Sequence, residues 1–127
     1  MRRLTVLGLL CALGACAAPQ HSAQRYAVFF QGSSVHLDDG ALATVTQAAA
    51  WAKDNPTAEV HVVGYADPEG SPESNLLLSR TRAQVVADEL KTDGVEPDRI
   101  RIDGRGAVDF AYDSQEARRV TISLRTY

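Results

Sequence analysis

Between Glu59 and Leu90 the spacing of apolar residues changes once, from every second residue to every third or fourth, which limits the chain to folds where strands and helices alternate. In Glu59 to Tyr65, Val60 and Val62 share one face, while His61, Val63 and Tyr65 share the other. From about Asn75 to Thr92, the residues Leu76, Ser79, Ala83, Val86, Ala87 and Leu90 form a helical stripe, with Gly94 suited to ending the helix. The segment between them, Asp67 to Ser74, is rich in Pro, Gly, Ser and Glu and reads as a loop. The same logic predicts a first strand over Arg25 to Phe30, with Tyr26, Val28 and Phe30 on one side. A helix follows, capped by Asp38 or Asp39, carrying Leu42, Val45, Ala49 and Ala52, and stopped by Asn55-Pro56. Arg99 to Asp103, with Ile100 and Ile102 inward, and Arg119 to Arg125, with Val120, Ile122 and Leu124 inward, complete the set. Each strand has one apolar face. The order β-α-β-α-β-β therefore predicts an α/β (α+β) two-layer sandwich, a mixed sheet with both helices on one side and the helices as crossovers.

The amino terminus sets the compartment. Met1, Arg2 and Arg3 precede an apolar run from Leu4 to Ala12, and Leu13-Gly14-Ala15-Cys16 follows. At about nine residues the run is too short to span a bilayer, which takes about 20. The pattern resembles a bacterial lipoprotein signal, which implies cleavage after residue 15 and lipidation of Cys16. In such lipoproteins an Asp after the cysteine usually retains the protein at the inner membrane; Ala17 stands there instead. The resemblance thus implies a protein of the cell outer membrane, lipid-anchored on its periplasmic face. Residues 16–24 read as a polar tether, spanning at most ~30 Å extended and averaging ~17 Å. Residues 25–127 form the domain.

Removing residues 1–15 from 127 leaves 112, the size of one domain with one core. Arg2 and Arg3 leave with the signal, so Lys+Arg falls from 13 to 11 against 16 Asp+Glu, a net charge of −5. Such an acidic chain is a poor match for nucleic acid. On the same resemblance Cys11 would leave with the signal and Cys16 would be lipidated, leaving no cysteine pair for a disulfide.

The chemistry converges on the end of the second strand. Asp67 follows it within Gly64-Tyr65-Ala66-Asp67-Pro68-Glu69-Gly70-Ser71, while Asn75, Leu78 and Arg82 fall at i, i+3 and i+7 on the next helix, a stripe facing back toward the loop. A carboxylate and a guanidinium flanking a polar pocket beside a helix N-terminus suit a zwitterion. Arg82 would grip a carboxylate with two hydrogen bonds and Asp67 would accept from an ammonium. Read from the residues alone, local capping and a solvated face explain the same pair.

From about Tyr26 to Leu124 the sequence resembles the OmpA-like peptidoglycan-binding domain. The resemblance rests on Phe29 or Phe30, Leu37, Leu42, Val62-Val63-Gly64 leading to Asp67, and Gly70-Ser71. It continues through Asn75, Leu78-Ser79, Arg82-Ala83, Gly104 with Gly106, and Arg118-Arg119-Val120. It implies noncovalent binding of the diaminopimelate in the peptidoglycan stem peptide by Asp67 and Arg82, with Asn75, Leu78, Gly70, Ser71 and Arg119 around them. It also implies no catalysis, no cofactor, a link between outer membrane and wall, and Tol-system or other envelope proteins as further partners. Tyr65-Ala66 stands where the family usually has His-Thr, Ser74-Asn75 where it has Tyr-Asn, and Ala117-Arg118-Arg119 where it has Asn-Arg-Arg; the connection from Gly106 to Ala117 is shorter. These departures keep a second reading open, a degenerate module that docks another envelope protein.

Other candidates carry less. His21, His36 and His61 lack partners at metal-ligand spacing. Ser33, Ser34, His36 and Asp38 lie too close in one turn to face one another as a triad. Gly104-Arg105-Gly106 is too slight for a phosphate loop. Arg118 and Arg119 are placed either to bridge Asp or Glu near the pocket or to meet acidic groups of the wall. A wall-cutting hydrolase would need a nucleophile, metal cluster or carboxylate pair that the sequence does not place.

Overall fold

Local signals account for most element boundaries in the computed structural model, which describes residues 22–107 and 114–127. The signal, Cys16, most of the tether and the centre of the Gly106 to Ala117 connection lie outside the described residues. Strand β1 (Ala23–Phe29) leads to helix α1 (Asp39–Asp54), whose cap is Asp38, accepting a hydrogen bond from the Ala41 N–H at 2.8 Å. Strand β2 (Glu59–Ala66) leads to α2 (Pro72–Thr92), then a single 3₁₀ turn (Pro97–Arg99), β3 (Ile100–Ala107), the short α3 (Ser114–Ala117) and β4 (Arg119–Arg125).

The sheet order is β1-β4-β2-β3, so the last strand lies inside the sheet, antiparallel to both β1 and β2, while β2 and β3 run parallel. The two helix-connected pairs β1/β2 and β2/β3 each point the same way, as crossovers require. Both long helices cover one face: α2 packs on β2 and β3, α1 on β1. The core between the layers holds Val28, Val45, Val60, Val62, Val86, Leu90, Val120, Ile122 and Leu124, all essentially sealed from solvent. The mixed two-layer sandwich expected from periodicity is the observed fold.

Four local expectations differ. Helix α2 begins at Pro72, because Ser71 caps it by accepting from the Ser74 N–H at 3.2 Å and proline is well tolerated in a first turn. The inward stripe of α1 is Ala41, Val45, Ala48, Ala49 and Ala52, with Leu42 only half-buried, since small residues let the helix settle close to the sheet. Strand β3 runs on past Asp103 to Ala107. Ile102, expected inward, is 39% exposed, because β3 is the edge strand and has a neighbour on one side only.

Two glycines fix the depth at which α2 sits. Gly64 and Gly104 are register partners on β2 and β3. A Cβ on Gly64 would collide with the Ser79 carbonyl oxygen, and one on Gly104 would lie 2.8 Å from Ser79 Oγ. The buried Ser79 hydroxyl then donates to the Leu76 carbonyl (2.8 Å) and accepts from the Gly106 N–H (2.9 Å), tying the middle of α2 to β3. This close approach holds the N-terminal half of α2 over the end of β2.

Candidate functional site

Three segments distant in sequence meet where β2 ends: the turn after β1, the Asp67 to Ser71 loop with the start of α2, and Arg118 just before β4. Together they form a cleft of about 430 Å³, within the roughly 300–1,000 Å³ common for small-molecule sites. Asp67, Glu69, Gly70, Ser74, Asn75, Leu78 and Arg118 line it together with Gly32 and Ser33. Gly70 has a φ of +88°, a left-handed conformation that lets the loop turn back over the helix start at little steric cost.

The carboxylate of Asp67 faces Arg118, whose Nη1 donates to Asp67 Oδ2 at 3.3 Å. Both side chains keep slight solvent contact, 18% and 19%, so the pair sits at the cleft wall within reach of a ligand. Of the two placements open to Arg118 and Arg119 in sequence, Arg118 takes the acid-bridging one. Asn75 is buried, no protein group among the described residues takes its side-chain amide, and its amide oxygen lies near Gly70. One donor pair and one acceptor are therefore offered to the cleft beside the Asp67 and Arg118 charges.

Arg82 stands behind this wall. It is fully buried, and three main-chain carbonyls hold its guanidinium: Nε donates to Ser34 (3.0 Å), Nη2 to Gly32 (2.6 Å) and Nη1 to Tyr65 (3.4 Å). The Phe30 ring lies 5.1 Å from Cζ. Burial lowers its pKa from the ordinary arginine value; the Asp67 charge opposes that fall and the Arg118 charge adds to it. Arg82 interacts with Asp67 through space from behind the cleft lining, where Arg118 is the cation beside Asp67. The carbonyls that cage Arg82 come from residues up to 50 positions away, beyond the reach of helix periodicity.

The remaining expected residues divide. Gly70, Asn75 and Leu78 join Asp67 at the cleft. Ser71 is the cap of α2, and its hydroxyl also donates to Ser74 Oγ at 2.9 Å. Arg119 is placed elsewhere: it sits on the opposite face of the sheet, with its guanidinium over the Tyr65 ring at 4.6 Å. Strand parity explains the split. Val120, Ile122 and Leu124 point into the core, so Arg119 must point out on the bare face and Arg118 to the helix side, where it meets Asp67. That alternation was readable in sequence and is the signal that would have selected Arg118. Among the described residues no group of three His, Cys, Asp or Glu is placed to hold a metal ion.

The model of the OmpA family matches residues 29–121. The chain belongs to the OmpA family. As a member it is 37% identical over 103 residues to "Probable lipoprotein YiaD" of Escherichia coli (strain K12), an overlap covering 76% of this chain and 47% of that protein. It is 34% identical over 123 residues to "Peptidoglycan-associated lipoprotein" of Rhizobium meliloti (strain 1021), covering 87% of this chain and 70% of the relative. The chain thus spans about half the length of the first relative, and 25% of the length of "Outer membrane protein 40" of Porphyromonas gingivalis. The OmpA-family fold recurs in the crystal structure of the peptidoglycan-associated lipoprotein from Burkholderia pseudomallei, with a TM-score of 0.72 at 24% identity, covering 78% of this chain and 89% of that one. The OmpA-like domain of FopA1 from Francisella tularensis gives a TM-score of 0.76 at 22% identity, covering 86% and 76%.

Proposed function

We propose that this chain is a lipid-anchored protein of the outer membrane that holds peptidoglycan noncovalently, taking the diaminopimelate of a stem peptide into the cleft beside Asp67. The observation that carries this reading is a cleft lined by the Asp67–Arg118 ion pair, with a second carboxylate, Glu69, and the Asn75 side-chain amide, which no described residue takes, beside it. An incoming ammonium shares Asp67 with the Arg118 guanidinium, which also meets the ligand's carboxylate. Arg82 keeps the floor electropositive from behind and holds the Gly32 to Ser34 turn in place. The site exchanges charges between neighbouring groups and breaks no bond, so the function is attachment, not catalysis. OmpA-family membership and the names of relatives as peptidoglycan-associated lipoproteins support the same class of role.

Placement of the two ends supports it as well. Ala23, where the chain from Cys16 enters the sheet, pairs with Arg125, which pairs with Glu59 at the start of β2. Asp67 follows the other end of that strand, roughly 25 Å away. A tether at one end and a cleft at the other suit a protein linking two layers. One contact of this kind is weak, and anchoring in the membrane against a polymeric wall multiplies it.

The deciding experiment is titration of the chain from Ala17 onward with a diaminopimelate-containing tripeptide and with its lysine counterpart, which lacks the second carboxylate. Loss of one charge-assisted contact predicts at least about tenfold weaker binding of the lysine peptide. Equal affinities would remove diaminopimelate as the ligand.

The carbonyl cage around Arg82, together with Tyr65-Ala66 before Asp67, favours one alternative: a module that has exchanged wall binding for docking of another envelope protein, the Tol system included. Retention of wild type and Asp67→Ala in equal amounts on purified sacculi would establish that alternative.

A further inference from the structure

The face of the sheet that no helix covers has a charge opposite to that of the whole chain. By strand register, Arg25, Arg101, Arg119 and Arg125 project from it. Among the described residues, Glu59 on the same face contacts His61 at 3.1 Å, Asp103 holds Arg105 at 2.7 Å, and Glu116 stands beside Arg119 at the β1 end of the face. This occurs in a mature sequence with 11 Lys+Arg against 16 Asp+Glu, so the cations are concentrated on one surface. At the centre of the face is a depression of about 250 Å³ between Arg25 and Arg119. Its floor is low because Ala27 and Thr121, which are register partners, are small, and the Thr121 and Ser123 hydroxyls and Tyr65 complete it. Arg119 is already oriented there: it donates to the Glu116 carbonyl at 2.7 Å and to Thr121 Oγ1 at 3.3 Å, above the Tyr65 ring. Two guanidiniums over hydroxyl groups, with no acid in the lining, fit a phosphate diester.

We propose that this open sheet face rests on anionic phospholipid headgroups of the membrane that carries the Cys16 anchor, with a headgroup phosphate seated between Arg25 and Arg119. The proposal builds on the lipid-anchor reading above. Seven chain steps separate Cys16 from Ala23, at most about 25 Å when extended, so an acylated Cys16 keeps the start of β1 beside the headgroups. Arg25 lies two residues further, and Arg125 is the direct partner of Ala23. A single anchor plus a basic surface is the usual two-part membrane attachment. The helix-layer acids, Asp54, Asp88 and Asp93 among them, lie behind the sheet and are kept off the bilayer. The Asp67 cleft, at the far end of β2 and on the helix side, then faces away from the membrane.

The test uses the chain from Ala17 onward, without its acyl chains; residues 22–127 contain the whole described core, so this piece folds by itself. It is sedimented with vesicles of phosphatidylcholine alone and with vesicles that also contain phosphatidylglycerol, at low and high salt. The expected result is binding only to the anionic vesicles, weakened by salt, and roughly thirtyfold weaker for the double variant Arg25→Gln/Arg119→Gln. Arg25→Gln/Arg125→Gln leaves the Arg119 contacts intact and weakens binding similarly, which guards against a folding defect in the first variant. Arg80→Gln, on the helix layer, binds as wild type does. Failure to bind anionic vesicles, or binding by both double variants as tight as that of wild type, overturns the proposal. So does thermal protection by inorganic phosphate or by polyglutamate without vesicle binding, which would assign the face to a free phosphate or to an acidic protein. The mass of the mature amino terminus reports acylation of Cys16 separately, so failure of the anchor and failure of the face are told apart.

Discussion

Asp67 and Arg118 meet at 3.3 Å across 51 positions of sequence, and this contact joins the end of β2 to the start of β4 at the wall of the cleft. Both groups retain contact with water, so the pair adds little to stability and stays open to exchange with a charged ligand. Its consequences for Asp67, Arg82 and their supports differ.

Replacing Asp67 by Ala should leave the fold nearly unchanged, by no more than about 1 kcal/mol in chemical denaturation, because the lost ion pair is partly hydrated. Retention on purified sacculi should fall at least about tenfold. A large stability loss with full retention would contradict both halves.

Arg82→Ala should behave in the opposite way. The substitution strips hydrogen bonds from three carbonyls and opens a hole beside Phe30, for a cost of about 3–5 kcal/mol. Arg82→Lys keeps the charge but cannot reproduce the planar fork, and should recover less than half of that loss in urea titrations. Reduced wall binding by Arg82→Ala is therefore informative only in the fraction of molecules shown to be folded.

Ser79→Ala removes the acceptor of the Gly106 N–H in a dry site, with an expected cost of about 1–3 kcal/mol. Amide exchange at Gly106 should speed up more than exchange in β4, because the lost bond ties α2 specifically to β3.

Gly64→Ala sets a methyl group against the Ser79 carbonyl, and backbone on both sides leaves nothing to yield. Helix α2 must lift from the sheet, at more than about 3 kcal/mol. Circular dichroism during heating checks this: a melting point close to wild type would show that the helix does not sit as deep as described.

Periodicity was sufficient for the main elements and for most of their inward faces, Ile102 and the stripe of α1 excepted. Val60 and Val62, then Val120, Ile122 and Leu124, alternate in sequence and are buried in the fold, and Asp38 and Gly94 lie at the helix ends where local capping places them. It also brought Asp67, Gly70, Asn75 and Leu78 together, because a strand end, a loop and the first turns of the next helix are neighbours by chain connectivity alone. These properties depend on contacts a few residues apart, and sequence spacing records such contacts directly.

What tertiary structure decided was the partner of each charge. The place of β4 between β1 and β2 brought Arg118 to Asp67 and sent Arg119 to the bare face. The Gly32 and Ser34 carbonyls, some 50 positions from Arg82, hold its guanidinium behind the cleft lining. An arginine on a helix carries the same donors whether it faces solvent or a ring of carbonyls. Which of these it meets depends on where a distant backbone runs, and no local pattern encodes that.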